Sequence, residues 1–598
     1  MREEDAENLR FSQYLKFSAF SSLLNLVSKN KQYNIMKQLI ECVPNFSEGR
    51  NPEIIAQIAK EIETVADVKL IDIDPGKATN RTVITFVGTP DEVCEAAFRT
   101  ARKAIELIDM RVHKGEHPRF GVIDVCPLIP VANITMDEVV VYARKLAQRF
   151  ANELGIPVYC YEFAATEEKR RNLANNRQGE YEGLSKRISS SDWHPDFGSR
   201  EWNESVARTG ASAVGARNFL IAYNVNLNTT SVRRANSIAF DVRERGRVKR
   251  DGNPITGKIM KDADGNSVHE TGLLKSVKAI GWYIEEYGIA QISMNLADIE
   301  ATPLHTAFDT VCERANARGL RVTGSELVGV VPLKSMLDAG KYFLKKQNRS
   351  TGLPDSEIIR IAAQSLGLSE ITPFDPKKKI IEYMLEEPNP KSLIKLSAED
   401  FANKTASEEP APGGGSVSAY LGALGASLGT MVANLSSHKR GWDARWEEFS
   451  DYAEKGMNLQ NQLLRLVDED TDAFNAIMDA FSLPKSNDEE KAARSKAIHN
   501  ATVNAIEVPF KVMQVAYECF DLLEYMAKEG NPNSVSDAGV GALCIRSAIM
   551  GAYLNVQINA ASVKEDVTAK DLVEKGGEIE KAAIRKEEEI LAIVRGKI

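Results

Sequence analysis

From Met36 onward the chain alternates between apolar positions two apart and apolar positions three or four apart, the periods of strand and helix. Lys37 to Pro44 predicts a strand, and Ile54, Ile55, Ile58, Ile62 and Val65 then share one helical face. Strands follow over 68–73 and 82–87, and a helix from about Glu92 turns Val93, Ala97, Ala101, Ala104 and Ile108 inward. A strand over 120–131 leads to Thr135 and Glu138, whose spacing predicts a capping box ahead of a helix bearing Val139, Ala143, Leu146 and Phe150. A strand over 157–161 completes the order β-α-β-β-α-β-α-β. No GxGxxG follows the first strand, so the order suits a split βαβ sheet better than a Rossmann half.

After a largely polar stretch, 189–215, the rhythm repeats. Residues 219–227 predict a strand; Val232, Ala235, Ile238, Ala239 and Val242 form a helix face that stops by Gly246. Strands are expected over 277–283 and 290–296, a helix capped by Thr302 with Pro303 in its first turn, and a last strand over 321–332. The segment 249–271, with two Asp-Gly pairs, reads as an inserted hairpin. Beyond the proline- and charge-rich stretch 373–392 every segment has helical spacing, including the Ala/Gly-rich YLGALGASLGTMVANL.

The expected architecture is therefore multidomain: two α/β subdomains of the split βαβ, ferredoxin-like kind facing a shared cleft, then an all-α helical bundle. The divisions fall at 36–218, 219–385, a linker at 386–393, and 394–598. Residues 1–35 read as an appended helix or as sequence upstream of the true start, with no function assigned.

Composition narrows the partners. The 75 basic and 84 acidic residues sum to −9, so no overall positive field favours a nucleic acid. No stretch reaches about 18 uninterrupted apolar residues, the length of a membrane span, and the polar, acidic amino terminus is unlike an export signal. Seven scattered cysteines without a CxxC pair suit reduced thiols and a cytoplasmic protein.

Only His113 and His117, in MRVHKGEHPRFG, lie close together in sequence. Gly115 and Pro118 oppose the continuous helix that an HxxxH metal pair needs, which favours a loop and no metal. A loop histidine can serve as general base near neutral pH or simply be satisfied by a carbonyl. Asp74, ending the strand LIDIDPG, either orients such an imidazole or starts a turn. In LLRLVDEDTDAFNAIM, Asp470 has Leu463, Leu466, Val467, Ala473, Phe474 and Ile477 on its own face, which predicts burial and a raised pKa, as a general acid requires; alternatively it pairs with a cation from another helix. Asp468, Glu469 and Asp472 read as a solvated rim. APGGGS (411–416) is either a flexible linker or a backbone nest at a helix start. Ser534 and Asp537 read as a capping box.

Longer motifs carry a resemblance. ECVPNFSEGRN, DIDPGKATNRTVITFVG, LIDMRVHKGEHPRFGVIDVCPLIPV, GARNFLIAYNVNL, QISMNLAD and GSELVGVVPL closely resemble glutamate formimidoyltransferases over about 36–385. APGGGSVSAYLGALGASLGTMVANL, LVDEDTDAFNAIM, FSLPK and GAYLNVQIN resemble formimidoyltetrahydrofolate cyclodeaminases over about 394–598. Together, in this order, they resemble the bifunctional formimidoyltransferase-cyclodeaminases of histidine degradation. The resemblance implies transfer of the formimidoyl group from N-formimidoyl-L-glutamate to N5 of tetrahydrofolate, then closure onto N10 with loss of ammonia. It implies His117 and Asp470 as catalytic residues, with Asp74 and Glu326 as further polar members of the first site. Folate contacts are expected along 198–210 (Gly198, Trp202, Gly210), along 496–504 (Lys496, His499, Asn504) and at Gly413, Gly414, Gly415 and Ser416. Tetrahydrofolate, polyglutamylated, is the co-substrate, without metal, and a homo-oligomer is expected through both helical and α/β contacts. The alternatives are a related formyl-transferring or folate cyclohydrolase activity, or one domain kept only for folate binding and assembly.

Overall fold

The computed structural model describes residues 38–76, 80–115, 119–252, 257–263, 265–386, 389 and 391–598. The segment 1–35 and His117 lie outside them.

The first sheet contains β1 (Leu39–Cys42), β2 (Asn45–Phe46), β3 (Val68–Gly76), β4 (Arg81–Gly88), β5 (Ile123–Ala132), β6 (Val158–Glu162) and β7 (Ser212–Ala216). β1 and β2 are one strand interrupted at Val43 and Pro44, and both halves pair antiparallel with β4 and β5. Proline has no amide hydrogen to donate to the ladder, which accounts for the break. β3 lies outside β4, and β7 and β6 extend the β5 edge in parallel. β7 falls in the stretch whose polarity predicted a connection; its sequence SAVGA is wholly buried.

Helices α1 (Pro52–Glu63), α2 (Pro90–Leu107) and α3 (Met136–Leu154) cover one face of this sheet. Their predicted inward residues, among them Ile58, Ile62, Val93, Ala97, Val139, Leu146 and Phe150, form one buried cluster with Ile40, Ile84 and Phe86. Each large side chain buried there contributes about 1.5–3 kcal/mol. The capping box forms as expected: Thr135 Oγ1 accepts from the Glu138 amide at 3.3 Å, and Glu138 Oε2 accepts from the Thr135 amide at 2.8 Å.

The second sheet is antiparallel throughout: β8 (Ile221–Leu227), β11 (Val277–Ile284), β12 (Ile289–Leu296) and β13 (Val322–Val328), in the order β11-β12-β8-β13. The intervening segment carries β9 (Arg247–Val248) paired with β10 (His269–Glu270). Helices α4 (Val232–Val242) and α5 (Leu304–Asn316) pack on it, followed by α6 (Leu333–Lys346) and α7 (Asp355–Leu366). With β1 and β2 taken as one strand and the β9–β10 pair left aside, both sheets share the order second, third, first, fourth, to which the first adds β7 and β6. Val87 and Ile129 of the first sheet belong to the core of the second, so the two units share buried surface. Thr302 does not cap α5: its hydroxyl donates to the Lys275 carbonyl at 2.8 Å and Pro303 stands at the N-cap.

The carboxy-terminal part is a bundle of α8 (Gly414–Ser437), α9 (Trp446–Ser482), α10 (Asp488–Glu529), α11 (Val535–Ala560) and α12 (Val567–Arg595). Ala423, Ala426 and Ala433 of α8 are buried in one cluster with Ala542, Ala548 and Ala552 of α11, small residues that let the helices approach closely. Ser534 precedes α11 without a side-chain cap bond, so the expected capping box is absent there. By length and apolarity alone, α8 and the segment 532–563 could cross a membrane; 61% and 50% of their apolar windows are buried inside the bundle. What stays outside is an apolar stripe on each: Leu424, Met431 and Leu435 on α8, and Val540, Leu543, Leu554 and Ile558 on α11.

The turn after α6 joins the α/β part to the bundle. The Thr351 amide donates to Ser450 Oγ at 3.0 Å, Asn434 Nδ2 donates to the Gly352 carbonyl at 2.8 Å, and Lys341 pairs with Glu454 at 3.0 Å. A Cβ on Gly352 would lie 2.3 Å from the Ala453 carbonyl carbon, so only glycine fits that seat.

Candidate functional site

In the first unit, β3 and β4 bring Asp74 and the loop after α2 to the same end of the sheet. Asp74 stands opposite Val83, on the face away from the helices, and is exposed to solvent. Asn80, just before β4, donates from Nδ2 to the Lys114 carbonyl at 2.8 Å and accepts the Gly49 amide at 3.0 Å. Arg119 gathers the loop's two ends, its Nη1 donating to the carbonyls of Met110 and His113. The described residues on either side of His117 are thereby anchored.

His113 takes the plain reading of a loop histidine. Its Nε2 meets the Asn80 carbonyl at 2.9 Å, the ring is buried, and Nδ1 has no hydrogen-bond partner among the described residues. Burial holds its pKa below the ordinary value and keeps it neutral.

In the second unit, Glu326 lies on β13 opposite Asn224, whose Nδ2 donates to Glu326 Oε2 at 3.3 Å. It lines a small cavity of about 40 Å³ with Ser325, Thr372, Phe374 and Lys379. Burial raises the Glu162 carboxyl of the first sheet, opposed by Arg171, Arg217 and then Lys278 of β11. The strand reading missed the polar side of this face, although its signal is present: Asn224 and Asn226, then Gln291, Ser293 and Asn295, are polar at every second position.

The expected folate stretch at 198–210 divides. Gly198 has φ +92°, and a Cβ there would lie 2.9 Å from the Ile156 carbonyl; Gly210 has φ +65° and packs on Gly121. Both glycines serve close backbone contact. Trp202 is partly exposed and tilts against Tyr181 at 5.8 Å between ring centres.

In the bundle, residues 54 apart in sequence meet. Gly413 is the N-cap of α8, and Asp470 of α9 sits at that helix start, where unpaired amides favour a carboxylate. Asp470 Oδ2 accepts from Ser416 Oγ at 2.9 Å, and the Ser416 backbone N–H bonds the same carboxylate. A Cβ on Gly415 would lie 2.0 Å from Asp470 Oδ1, so the glycine run is what admits the acid. Among the described residues no cation pairs with Asp470. Burial raises its pKa, the Ser416 bonds opposing, which leaves a carboxyl that holds its proton to higher pH than usual.

Asp468 and Glu469 depart from the expected solvated rim, while Asp472 is exposed as expected. Asp468 accepts from Ser392 Oγ at 2.6 Å and from the Leu393 amide at 2.7 Å, fastening the end of the linker to α9. Glu469 pairs with Lys511 at 3.6 Å. Asp472 is pushed up by burial and then by Asp468 and Glu469.

Lys496, His499 and Asn504 are all exposed along α10, and His499 Nε2 lies 3.1 Å from Asp566 Oδ2. One turn earlier, Lys485, Lys491, Arg494, Ser495 and Ile498 line an open basic cavity of about 290 Å³. Among the described residues no three His, Cys, Asp or Glu side chains form a metal cluster.

Three family models match the chain in succession: the formiminotransferase domain, N-terminal subdomain, over 39–217; the formiminotransferase domain over 222–386; and formiminotransferase-cyclodeaminase over 397–577. The formimidoyltransferase-cyclodeaminase of Gallus gallus is 42% identical over 532 residues, 89% of this chain and 94% of that protein. That of Dictyostelium discoideum is 39% identical over 564 residues, 94% of this chain and the whole of the relative. The chain is also similar to a methenyltetrahydrofolate cyclohydrolase of Methylorubrum extorquens, 39% identical over 173 residues, 29% of this chain and 83% of that protein. With both halves matched in one order and near full length, the chain belongs to the bifunctional formimidoyltransferase-cyclodeaminase family.

Proposed function

We propose that the chain moves the formimidoyl group of N-formimidoyl-L-glutamate to N5 of tetrahydrofolate, releasing glutamate, and then closes it onto N10, giving 5,10-methenyltetrahydrofolate and ammonia. The observation that carries this reading is Asp470 held by Ser416 at the start of α8, an acid whose pKa burial raises, in the half whose chemistry must expel ammonia.

In the transfer, N5 attacks the formimidoyl carbon, loses its proton, and the glutamate nitrogen leaves once protonated. His117 serves both steps, as base and then acid, on a loop whose ends are fixed by Arg119 and Asn80. Asp74 at the same end of the sheet and Glu326 across the cleft complete the polar surroundings. In the closure, N10 attacks the amidine carbon of the 5-formimidoyl group and its proton passes to the former imine nitrogen; Asp470 supplies the second proton, and ammonia leaves the methenyl cation. A polyglutamate tail is anionic, and the basic cavity at Lys485, Lys491 and Arg494 suits it. The two sheets are a repeated split βαβ unit, the apolar stripes on α8 and α11 pair copies of the chain, and the seven free thiols suit a reducing cytoplasm.

The test follows glutamate, ammonia and methenyltetrahydrofolate from N-formimidoyl-L-glutamate and tetrahydrofolate. His117→Ala stalls before transfer, and Asp470→Asn accumulates 5-formimidoyltetrahydrofolate with ammonia release down about 100-fold or more. Full ammonia release by Asp470→Asn defeats the assignment. The cyclohydrolase relative favours a second reading for the bundle, hydrolysis at the same one-carbon bridge; comparing formimidoyl and formyl donors, and assaying water attack on the methenyl product, separates the two.

A further inference from the structure

Across the open face of the second sheet, one row of side chains is joined by hydrogen bonds that all run in one direction. Trp282 stands opposite Gln291, Gln291 opposite Asn226, and Asn226 opposite Gly324. The Trp282 indole N–H donates to Gln291 Oε1 at 3.1 Å, Gln291 Nε2 to Asn226 Oδ1 at 2.8 Å, and Asn226 Nδ2 to Glu370 Oε2 at 2.6 Å. An indole N–H can only donate, so it turns the oxygen of Gln291 toward itself; each amide then faces its NH₂ to the next, ending on a carboxylate. Gly324 makes the room, since a Cβ there would lie 2.4 Å from Glu370 Oε2.

Gln291 and Asn226 are buried, whereas the Trp282 ring is 40% exposed. An exposed indole needs no such chain for stability, because water would satisfy its N–H at no cost. The chain fixes the plane of a ring that looks outward. Ile280 shares that face at 55% exposure, and the adjacent row holds Ser293, Asn224 and Glu326. Tyr287, from the β11–β12 turn, lies near enough to Glu326 for its hydroxyl pKa to be raised by that charge. Lys278 shares that face, and its charge reaches Glu162 of the first sheet.

We propose that Trp282 is the stacking platform for the pterin head of tetrahydrofolate during transfer, with Gln291, Asn226 and Glu370 as positioning residues. This rests on the transfer reaction proposed above. The two substrates differ in a way the surface distinguishes. N-Formimidoyl-L-glutamate has no ring and carries two carboxylates, which Glu326 and Glu370 repel. The pterin head is uncharged, its pyrimidinone half is flat, and its edge is rich in N–H donors that carboxylate and amide oxygens accept. An aromatic plate with acceptors beside it fits the second and rejects the first.

The test uses the full chain with Trp282→Ala, Trp282→Phe and Gln291→Leu. Trp282→Ala raises the KM for tetrahydrofolate about tenfold, the loss expected of one base–aromatic stack, with the KM for N-formimidoyl-L-glutamate unchanged. Phe recovers most of it, and Gln291→Leu, which keeps the ring but releases its plane, gives a smaller rise. Ammonia release from preformed 5-formimidoyltetrahydrofolate stays at the wild-type rate and reports that the chain is folded; if Trp282→Ala loses it, the Phe and Leu variants decide. An unmoved folate KM, or a parallel rise in both constants, overturns the placement. If the wild-type chain transfers nothing, the transfer reading fails by itself; the placement is then judged by quenching of tryptophan fluorescence by tetrahydrofolate, which Trp282→Phe must diminish.

Discussion

Glu41 occupies the middle of β1, between Val87 and Ile129, on the face that the second unit covers. Burial pushes its carboxyl up to about 7, against the opposing charge of Arg217. A carboxyl raised in the fold above its unfolded value of about 4.5 binds a proton more tightly when folded. Its stabilising contribution is full below about pH 4.5 and is lost as pH rises to about 7. Glu41→Gln should remove that loss, leaving the variant more stable than wild type at pH 8 by at most ~3 kcal/mol and equal to it near pH 4. Denaturant melts of both proteins across this range measure it; parallel pH curves would show that Glu41 does not titrate there. The strand reading of KQLIECVPN gave no hint of this, because which strand face another unit will cover is not a local property. Asp470 was legible by contrast, since helical spacing alone lines up its apolar neighbours.

Among elements, helix starts divide the same way. Thr135 and Glu138 form their box because both partners lie within one turn, while Thr302 is claimed by the Lys275 carbonyl, a contact no local pattern contains. The glycine run that opens α8 left linker and nest equally open in sequence, and in the structure it forms the helix start that receives Asp470 from the next helix. Gly415→Ala is the direct check: its methyl group collides with Asp470 Oδ1, so ammonia release should fall at least tenfold while transfer of the formimidoyl group continues. Loss of both activities together would mean that α8 as a whole depends on this glycine. The alternating polar residues of β8 and β12 were likewise in view, but their purpose needed the register that sets Gln291 beside Trp282 and Asn226.

For the whole molecule, the apolar stripes of α8 and α11 lie exposed in one chain. Replacing Leu554 and Ile558 with lysine should lower the assembly state seen by light scattering without unfolding the bundle, since both side chains are exposed. An unchanged mass would place the contacts elsewhere. Within the chain, the two halves are held by a seat into which Gly352 fits against Ala453, with Thr351 and Asn434 bonded on either side. That seat decides what the connecting segment at 386–393 has to do. A flexible tether sets how often two sites meet through its length; here spacing is fixed by packed backbone, and the connection is relieved of that task. Added glycine and serine residues in that segment should therefore leave the path between the two reaction centres unchanged, whereas a single bulky side chain at 352 would turn a fixed route into a search.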